Sequence, residues 1–116
     1  MKVTKIIDAV SVANSGNITS TVYNPREFPD QYATVVVIHS GAKLASGTTL
    51  TAALQGSMDN SVWFDIESMR NDDTAYQKGD GSAPSWTRAV PIMPYMRVRV
   101  SNTTGGALTM NAWIVE

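Results

Sequence analysis

The sequence predicts an all-β protein, an antiparallel β-sandwich of about eight short strands with jelly-roll-like connections. Apolar residues recur at every second position in several short segments, which is the period of a half-buried strand. Clusters of Gly, Asn, Asp, Ser and Pro separate these segments at intervals near a dozen residues. No window of about eleven residues has convincing helical spacing. An immunoglobulin-like sandwich is the second choice, although its Cys–Trp–Cys hallmark is absent.

The composition indicates one domain covering residues 1–116 and excludes several classes of function. Apolar residues make up 43% and charged residues only 16%, so Ser, Thr and Asn carry much of the surface, as suits a surface that contacts other protein. The net charge of -1 gives little support to nucleic-acid binding. Without cysteine there are no disulfides, Cys-based zinc sites or thiol nucleophiles. No segment approaches the roughly 20 apolar residues of a membrane span.

The first third of the chain predicts two strands and a crossing loop. Val3–Val12 alternates as a strand with Ile6, Asp8, Val10 and Val12 on one face, and Asp8 is hard to place if that face is buried. Lys5 and Asp8 also interrupt the apolar run that a signal peptide would need, so we take this segment as part of the mature sequence. After a turn at 14–17, Ile18–Tyr23 forms a second strand. Two prolines in Asn24–Gln31 predict a loop, in which Phe28 plugs one end of the core.

The centre of the chain predicts a buried strand and a hairpin. Tyr32–His39 holds four consecutive β-branched residues, which indicates a strand covered on both faces. The opposite sheet covers one face, and a loop or a partner subunit covers the other. Leu50–Ile66 then predicts strand, turn and strand, with the turn at 56–61. We expect the aliphatic faces of both strands to meet the core: Leu50, Ala52 and Leu54 on the first, and Val62, Phe64 and Ile66 on the second.

The last part of the chain predicts two clear strands after an irregular region. Glu67–Pro94 contains either short strands near Thr74–Gln77 and Trp86–Val90, or a long loop of the kind that is usually functional or disordered. Tyr95–Val100 alternates most regularly, and Ala107–Val115 alternates again.

No residue pattern indicates catalysis, and we predict that the protein is not an enzyme and uses no metal or cofactor. His39, the single histidine, follows an apolar strand and is expected to make an ordinary hydrogen bond. The serines lack a G-x-S-x-G setting. Acidic residues between Asp59 and Asp80 do not match calcium-loop spacing and are expected to be solvated loop carboxylates and turn caps. Asp65 and Glu67, a conceivable glycosidase pair, are expected at one strand end on one face, with no cleft.

Aromatic side chains are the more informative candidates. Trp63, Tyr95 and Trp113 fall out of phase with the aliphatic faces of their strands. Together with Tyr76 and Trp86, these residues cover the second face of a sheet or pack under the long loop, anchor a protein interface, or stack on sugar rings. Arg97 and Arg99 are expected to pair with Asp65 or Glu67 on a neighbouring strand, or to reach across an interface.

Three segments carry a resemblance to a known family: Leu54–Ser57 with Asp59–Asn60, Trp63–Ile66, and Pro94–Val100. They resemble small β-sandwich proteins of tailed-phage structural genes, namely capsid decoration (cement) proteins and related head-fibre or tail-associated domains. The same hairpin followed by an R-V-R-V strand is also similar to discoidin-like and carbohydrate-binding sandwiches.

The resemblance implies a jelly-roll-like virion protein on the capsid exterior, which binds the major capsid protein and stabilises the shell. It implies a homo-oligomer, often a trimer or a dimer with the trimer favoured, and no catalytic residues. We expect shell contacts in the loops 24–31 and 67–94. The interface candidates are Phe28, Trp63, Asp72, Asp73, Tyr76, Trp86, Tyr95, Arg97, Arg99 and Trp113.

Overall fold

A computed structural model describes residues 2–25, 32–42, 44, 49–73, 76 and 84–116. The described part contains eight strands and no helix, so the predicted all-β class is confirmed. The strands are β1 Val3–Val12, β2 Gly16–Thr19, β3 Tyr32–His39, β4 Leu50–Ser57, β5 Trp63–Arg70, β6 Ser85–Pro91, β7 Tyr95–Asn102 and β8 Leu108–Val115.

The strands form two four-stranded sheets whose connections make a jelly roll. The first sheet has the order β1-β8-β3-β6 and the second has the order β2-β7-β4-β5. β1 therefore pairs with β8, β2 with β7, β3 with β6 and β4 with β5, all antiparallel. This nested pairing is that of one long hairpin rolled into two layers, so the predicted jelly-roll-like sandwich is confirmed.

The predicted strand bounds agree best where the apolar pattern is long. β1 and β3 have the predicted bounds. β2 is shorter and earlier than predicted, because the turn is confined to the residues around Ser15 (φ 62) and Tyr23 forms only an isolated bridge to Met96. The predicted strand Trp86–Val90 lies within β6. Most of the predicted strand Thr74–Gln77 and the candidate Phe28 lie outside the described residues.

In β1 the alternation of inward and outward side chains is interrupted next to Asp8, so Asp8 stays on the surface. The pairing with β8 shifts register on both sides of Ile7, and Ala9 adopts a positive φ of 49°. Ile6 and Ile7 consequently are both buried, whereas Asp8 points to solvent beside Lys5, 2.8 Å away. The expected grouping of Ile6, Asp8, Val10 and Val12 on one face is therefore wrong, because β-bulges reset the period-two pattern.

The core lies between the sheets and is built from the alternate residues of β3, β4, β7 and β8. The fully buried large side chains include Leu50, Leu54, Met96, Met110 and Ile114. The predicted inward face of β4 is confirmed, since Leu50, Ala52 and Leu54 are 0–1% exposed. A strand with this alternation buries one face against the opposite sheet and leaves the other outside.

The predicted core face of the second hairpin strand is wrong in part. Val62 precedes β5 and is 71% exposed, and Phe64 is 41% exposed on this edge strand. A register shift between the pairings of Leu54 and Gln55 then separates Asp65 from Glu67. Asp65 lies across from Gln55 on the outer face, whereas Glu67 lies across from the buried Leu54. The two carboxylates therefore do not share a face, contrary to expectation.

One end of the sandwich, which we call the hairpin end, contains the β4–β5 turn at 58–62 and the β6–β7 connection at 92–94. Tyr32 at the start of β3 lies at the same end, because it pairs with Pro91 at the end of β6. The far end contains the β1–β2 and β7–β8 turns and the described parts of the β3–β4 and β5–β6 connections.

Candidate interaction site

The turn at the hairpin end is fixed by Asp59. Its Oδ1 accepts hydrogen bonds from the backbone N–H groups of Ser61 and Val62, both at 2.9 Å, and from the Ser57 hydroxyl at 3.1 Å. These donors, the Val62 and Ser61 backbone foremost, lower the pKa of the Asp59 carboxyl. Asn60 takes the left-handed conformation that the turn requires, with φ 62°. The turn is therefore closed by hydrogen bonds within the chain itself.

This fixed turn displays apolar side chains to solvent. Met58 is 68% exposed, Val62 71% and Phe64 41%. Among the described residues the other exposed large apolar side chains are Val3, Val10, Val22 and Tyr32, and all of them except Val10 lie at this same end. Clustering of exposed apolar side chains at one place marks a contact surface, whereas scattered ones need no explanation.

Beside the turn, the outer face of the second sheet carries a packed polar and aromatic group. The Arg97 guanidinium lies 4.0 Å from the centre of the Trp63 ring, and its Nε donates to Gln55 Oε1 at 2.8 Å. Gln55 Nε2 in turn donates to Asp65 Oδ1 at 2.9 Å. Trp63 and Tyr95 lie in one row, because each pairs across from Ser57. A cation over an indole ring is favourable and orders both side chains.

We call this set the hairpin-end site; it comprises Met58, Asp59, Val62, Trp63, Phe64, Tyr95 and Arg97. Of the two alternatives for Arg97, the ion pair with Asp65 or Glu67 is not formed, because β4 lies between β7 and β5 and Gln55 lies between the two charged side chains. The other alternative, a contact across an interface, stays a prediction. Arg99 is exposed on the same outer face, across from Ala53 and Thr19.

Glu67 forms an ion pair between the two sheets, where the edge strands β5 and β6 lie side by side. Arg88 of β6 places Nε 3.3 Å from Glu67 Oε1 and Nη2 3.2 Å from Asp73 Oδ2. The contact to Asp73 is a hydrogen bond, whereas the Nε contact is an ion pair without hydrogen-bond geometry. Asp73, an interface candidate, thus ties the two sheets together, and Asp72 is exposed and pairs with Arg70 at 3.4 Å.

Two interface candidates from the aromatic set are core residues instead. Trp86 is 0% exposed and Tyr76 is 5% exposed, so neither faces a partner in this structure. Their rings pack together with a centroid distance of 4.8 Å, and Trp86 Nε1 donates to the Arg70 carbonyl at 2.9 Å. Trp86 is buried because it shares the inward face of β6 with Val90.

His39 belongs to this same buried cluster. Its Nδ1 donates to the Ser40 carbonyl at 2.8 Å, so Nε2 accepts from the Tyr76 hydroxyl at 2.7 Å. Burial lowers the pKa of His39 and outweighs the Ser40 hydrogen bond, which raises it. The prediction of an ordinary hydrogen bond is confirmed, and the imidazole is held neutral with both nitrogens engaged.

Trp113 is separated from the other outward aromatics. It lies on the outer face of the first sheet, across from Val36 and Lys5, and the Lys5 ammonium is 5.1 Å from its ring centre. Trp63 and Tyr95 lie on the outer face of the second sheet. The sequence grouped these three residues by phase alone, and phase does not tell which sheet a strand joins.

The described residues contain no group of three or more His, Cys, Asp or Glu side chains that could hold a metal ion. They also contain no helix that is long and apolar enough to cross a membrane. Comparison of the whole chain with protein-family models and with curated proteins gives no match.

Sequence reasoning missed Met58, Val62 and Phe64 as site residues. Val62 and Phe64 continue an alternating run, which normally indicates a core face. The available signal was Met58 and Val62 flanking Asp59-Asn60-Ser61, since apolar residues inside a polar turn cannot reach the core.

Proposed function

We propose that the protein is a non-enzymatic virion structural protein that decorates the capsid exterior of a tailed phage, where it binds the major capsid protein through the hairpin-end site. The observation that carries this proposal is the fixed turn at 58–62, which presents exposed apolar side chains beside the Trp63–Arg97 pair. The resemblance of the hairpin and of β7 to decoration proteins supplies the partner.

The residue types of the site suit binding to protein. Trp, Tyr and Arg are the commonest residues that dominate protein interfaces, and Trp63, Tyr95 and Arg97 adjoin one another here. Asp59 holds the turn in place, so binding does not require the segment to become ordered. Less of the interaction free energy is therefore lost on association.

The charged groups of the site, and Asp65 beside it, already have partners within the chain. Asp59 accepts from backbone N–H groups, Asp65 accepts from Gln55, and the Arg97 guanidinium lies over Trp63. Such a surface relies on apolar contact more than on Coulombic attraction. We therefore expect shell binding to change little when the ionic strength is raised.

A decoration protein also needs a rigid frame and several weak contacts rather than one strong one. The jelly roll supplies the frame, and homo-oligomers would engage several shell subunits at once, so that avidity adds to the affinity of each copy. Because jelly rolls also occur in lectins and cupins, the fold alone does not select this function.

Glycan binding is the alternative, favoured by Trp63 and Tyr95 in one row on a sheet face. A sugar ring stacks on an open aromatic face, and the Arg97 guanidinium occupies one face of Trp63. This arrangement favours protein contact over sugar stacking at Trp63.

The test is co-sedimentation of the purified protein with heads assembled without it, followed by heating of the shells. We expect the wild-type protein to co-sediment and to raise the temperature at which the shells break. Trp63→Ala and Val62→Asp should both lose binding. Ala107→Asp, which places the same charge at an exposed position of the far end, should bind normally.

Absence of co-sedimentation by the wild-type protein would count heavily against the proposal. Binding of a glycan panel that is abolished by Trp63→Ala, without shell binding, would establish the alternative. Equal loss of shell binding in Ala107→Asp would show that the hairpin-end site is not the contact.

A further inference from the structure

The outer face of the first sheet carries no charge on its strands β8, β3 and β6. Cross-strand partners place three rows on this face, and each row holds one residue from each of these strands. The rows are Val115, Thr34 and Ala89; Trp113, Val36 and Thr87; and Asn111, Ile38 and Ser85. Tyr32 and Pro91 extend the face toward the hairpin end, and Tyr32 is 59% exposed.

The outer face of the second sheet is different. Its equivalent positions on β7, β4 and β5 include Arg97, Arg99, Asp65 and Arg70. The two outer faces therefore differ in charge although both lie on the surface of this protomer. Charged residues are depleted at the centres of protein interfaces. By this criterion the first-sheet face resembles the centre of a protein interface more closely than the second-sheet face does.

The edge of the first-sheet face is also nearly neutral. β1 contributes Val3, 58% exposed, and Lys5. The Lys5 ammonium is 2.8 Å from the Asp8 carboxylate, which cancels its charge. It also lies 5.1 Å from the centre of the Trp113 ring. Two copies of such a surface can face each other without repulsion between like charges.

We infer that a second copy of this chain packs on this face, with the two first sheets face to face about a two-fold axis. In such an isologous contact each residue meets the same surface on the partner, so an uncharged face is complementary to itself. Twisted sheets pack in this way with their strands about 30° apart. The outward β-branched side chains of β3 are only half-buried in one protomer. The second copy covers them.

The size of the face sets the strength of this contact. Four strands spaced at about 4.8 Å and seven residues at about 3.3 Å give roughly 440 Å² a copy, or about 900 Å² for the pair. Stable complexes commonly bury about 1,200–2,000 Å² in total, so this contact belongs to the weak class. We therefore expect a dimer that forms reversibly at micromolar or higher protein concentration.

The inference does not depend on the proposed function, because the hairpin-end site contributes nothing to it. It is tested with the protein alone, by light scattering and sedimentation velocity over a wide concentration range. The mass should rise from 12.5 kDa toward about twice that value as the concentration increases.

Two matched variants identify the face. Thr87→Arg places a charge at an exposed position of β6, in the middle row of the first-sheet face. Ser68→Arg places the same charge at an exposed position of β5, on the second sheet. Thr87→Arg should weaken dimerisation at least tenfold, and Ser68→Arg should dimerise as the wild type does. Ala89→Arg, in the neighbouring row, repeats the test at a second exposed position.

Several results would overturn the inference. One is a protein that stays monomeric at every concentration. A second is a trimer, or a dimer that Ser68→Arg and Thr87→Arg weaken equally. A third is a monomer whose Thr87→Arg variant no longer co-sediments with shells, which would assign the face to the shell protein instead. Circular dichroism and thermal melts of each variant establish that it is folded.

Discussion

Removal of the Tyr76 hydroxyl tests the buried network that closes the far end of the sandwich. This hydroxyl accepts from the Leu44 backbone N–H at 2.9 Å and donates to His39 Nε2 at 2.7 Å. Tyr76→Phe keeps the ring, which packs against Trp86, and removes both hydrogen bonds. We expect a folded protein of lower stability.

The size of the effect follows from the burial of the two groups left behind. His39 is 1% exposed, so its Nε2 loses its donor with no access to water, at a cost of about 1–3 kcal/mol. Leu44 is only half-buried, so water replaces much of the hydrogen bond to its N–H. The sum is about 2 kcal/mol. For a chain of 116 residues each kcal/mol lowers the melting temperature by roughly 4 °C, which gives a fall of about 8 °C.

The assay is urea and thermal unfolding of the wild type, Tyr76→Phe and the control Tyr32→Phe. Tyr32 is 59% exposed, so loss of its hydroxyl should change the stability by less than about 0.5 kcal/mol. If Tyr76→Phe unfolds within about 2 °C of the control, the Tyr76 hydroxyl is not the shared partner of His39 and Leu44, and the reasoning is refuted.

Three further predictions concern His39, Gly56 and Arg88. Burial holds the pKa of His39 below its ordinary value in the folded protein, so only the unfolded chain takes up the proton as pH falls below about 6.5. The contribution of His39 to the free energy of unfolding is thus fully present above that pH. Below it, the free energy of unfolding should fall by up to roughly 1.4 kcal/mol per pH unit. His39→Gln should make this dependence shallower, as measured by urea unfolding at pH 7.5 and 5.5. Gly56→Ala would place a Cβ 2.7 Å from Met93 Cγ and should lose about 1–3 kcal/mol in urea unfolding, whereas Gly106→Ala, with nothing within 4 Å, should be near neutral. Arg88→Ala leaves two partly exposed carboxylates without their cation and should cost about 1 kcal/mol, less in 1 M salt; an equal loss at both salt concentrations would contradict the ion pairing.

The sequence predicts those strands whose local pattern agrees with their tertiary position. Tyr32–His39 and Tyr95–Val100 alternate or run apolar without interruption, and both became strands at the expected place. β1 was predicted in extent but not in phase. Its bulge depends on Asn111, 102 residues away, whose Oδ1 accepts from the Ala9 N–H at 2.9 Å. No local pattern reports such a long-range hydrogen bond.

The candidate site was less predictable than the fold, because exposure depends on which strands are neighbours. Trp63 and Arg97 come into contact only because β4 joins β5 and β7 in one sheet. Trp86 was named as an interface candidate, although Val90, four residues on, shares its face and is buried with it. That alternation was readable from the sequence, whereas sheet order was not.

The edge strands of both sheets are obstructed, which is why association is expected through the first-sheet face and the hairpin-end site instead. A free edge strand offers unpaired backbone groups to other chains, and natural sheets block this with bulges, short strands or charges. β1 is bulged twice and β2 has four residues. On the other side β5 carries a register shift, and Arg88 ties β6 to Glu67 of β5. With the edges obstructed, most of the large apolar side chains that are exposed among the described residues belong to the first-sheet face or the hairpin-end site, and Val10 and Val22 are the exceptions. Because these two surfaces lie on different parts of the sandwich, the proposed dimer leaves the hairpin-end site free for the proposed shell contact.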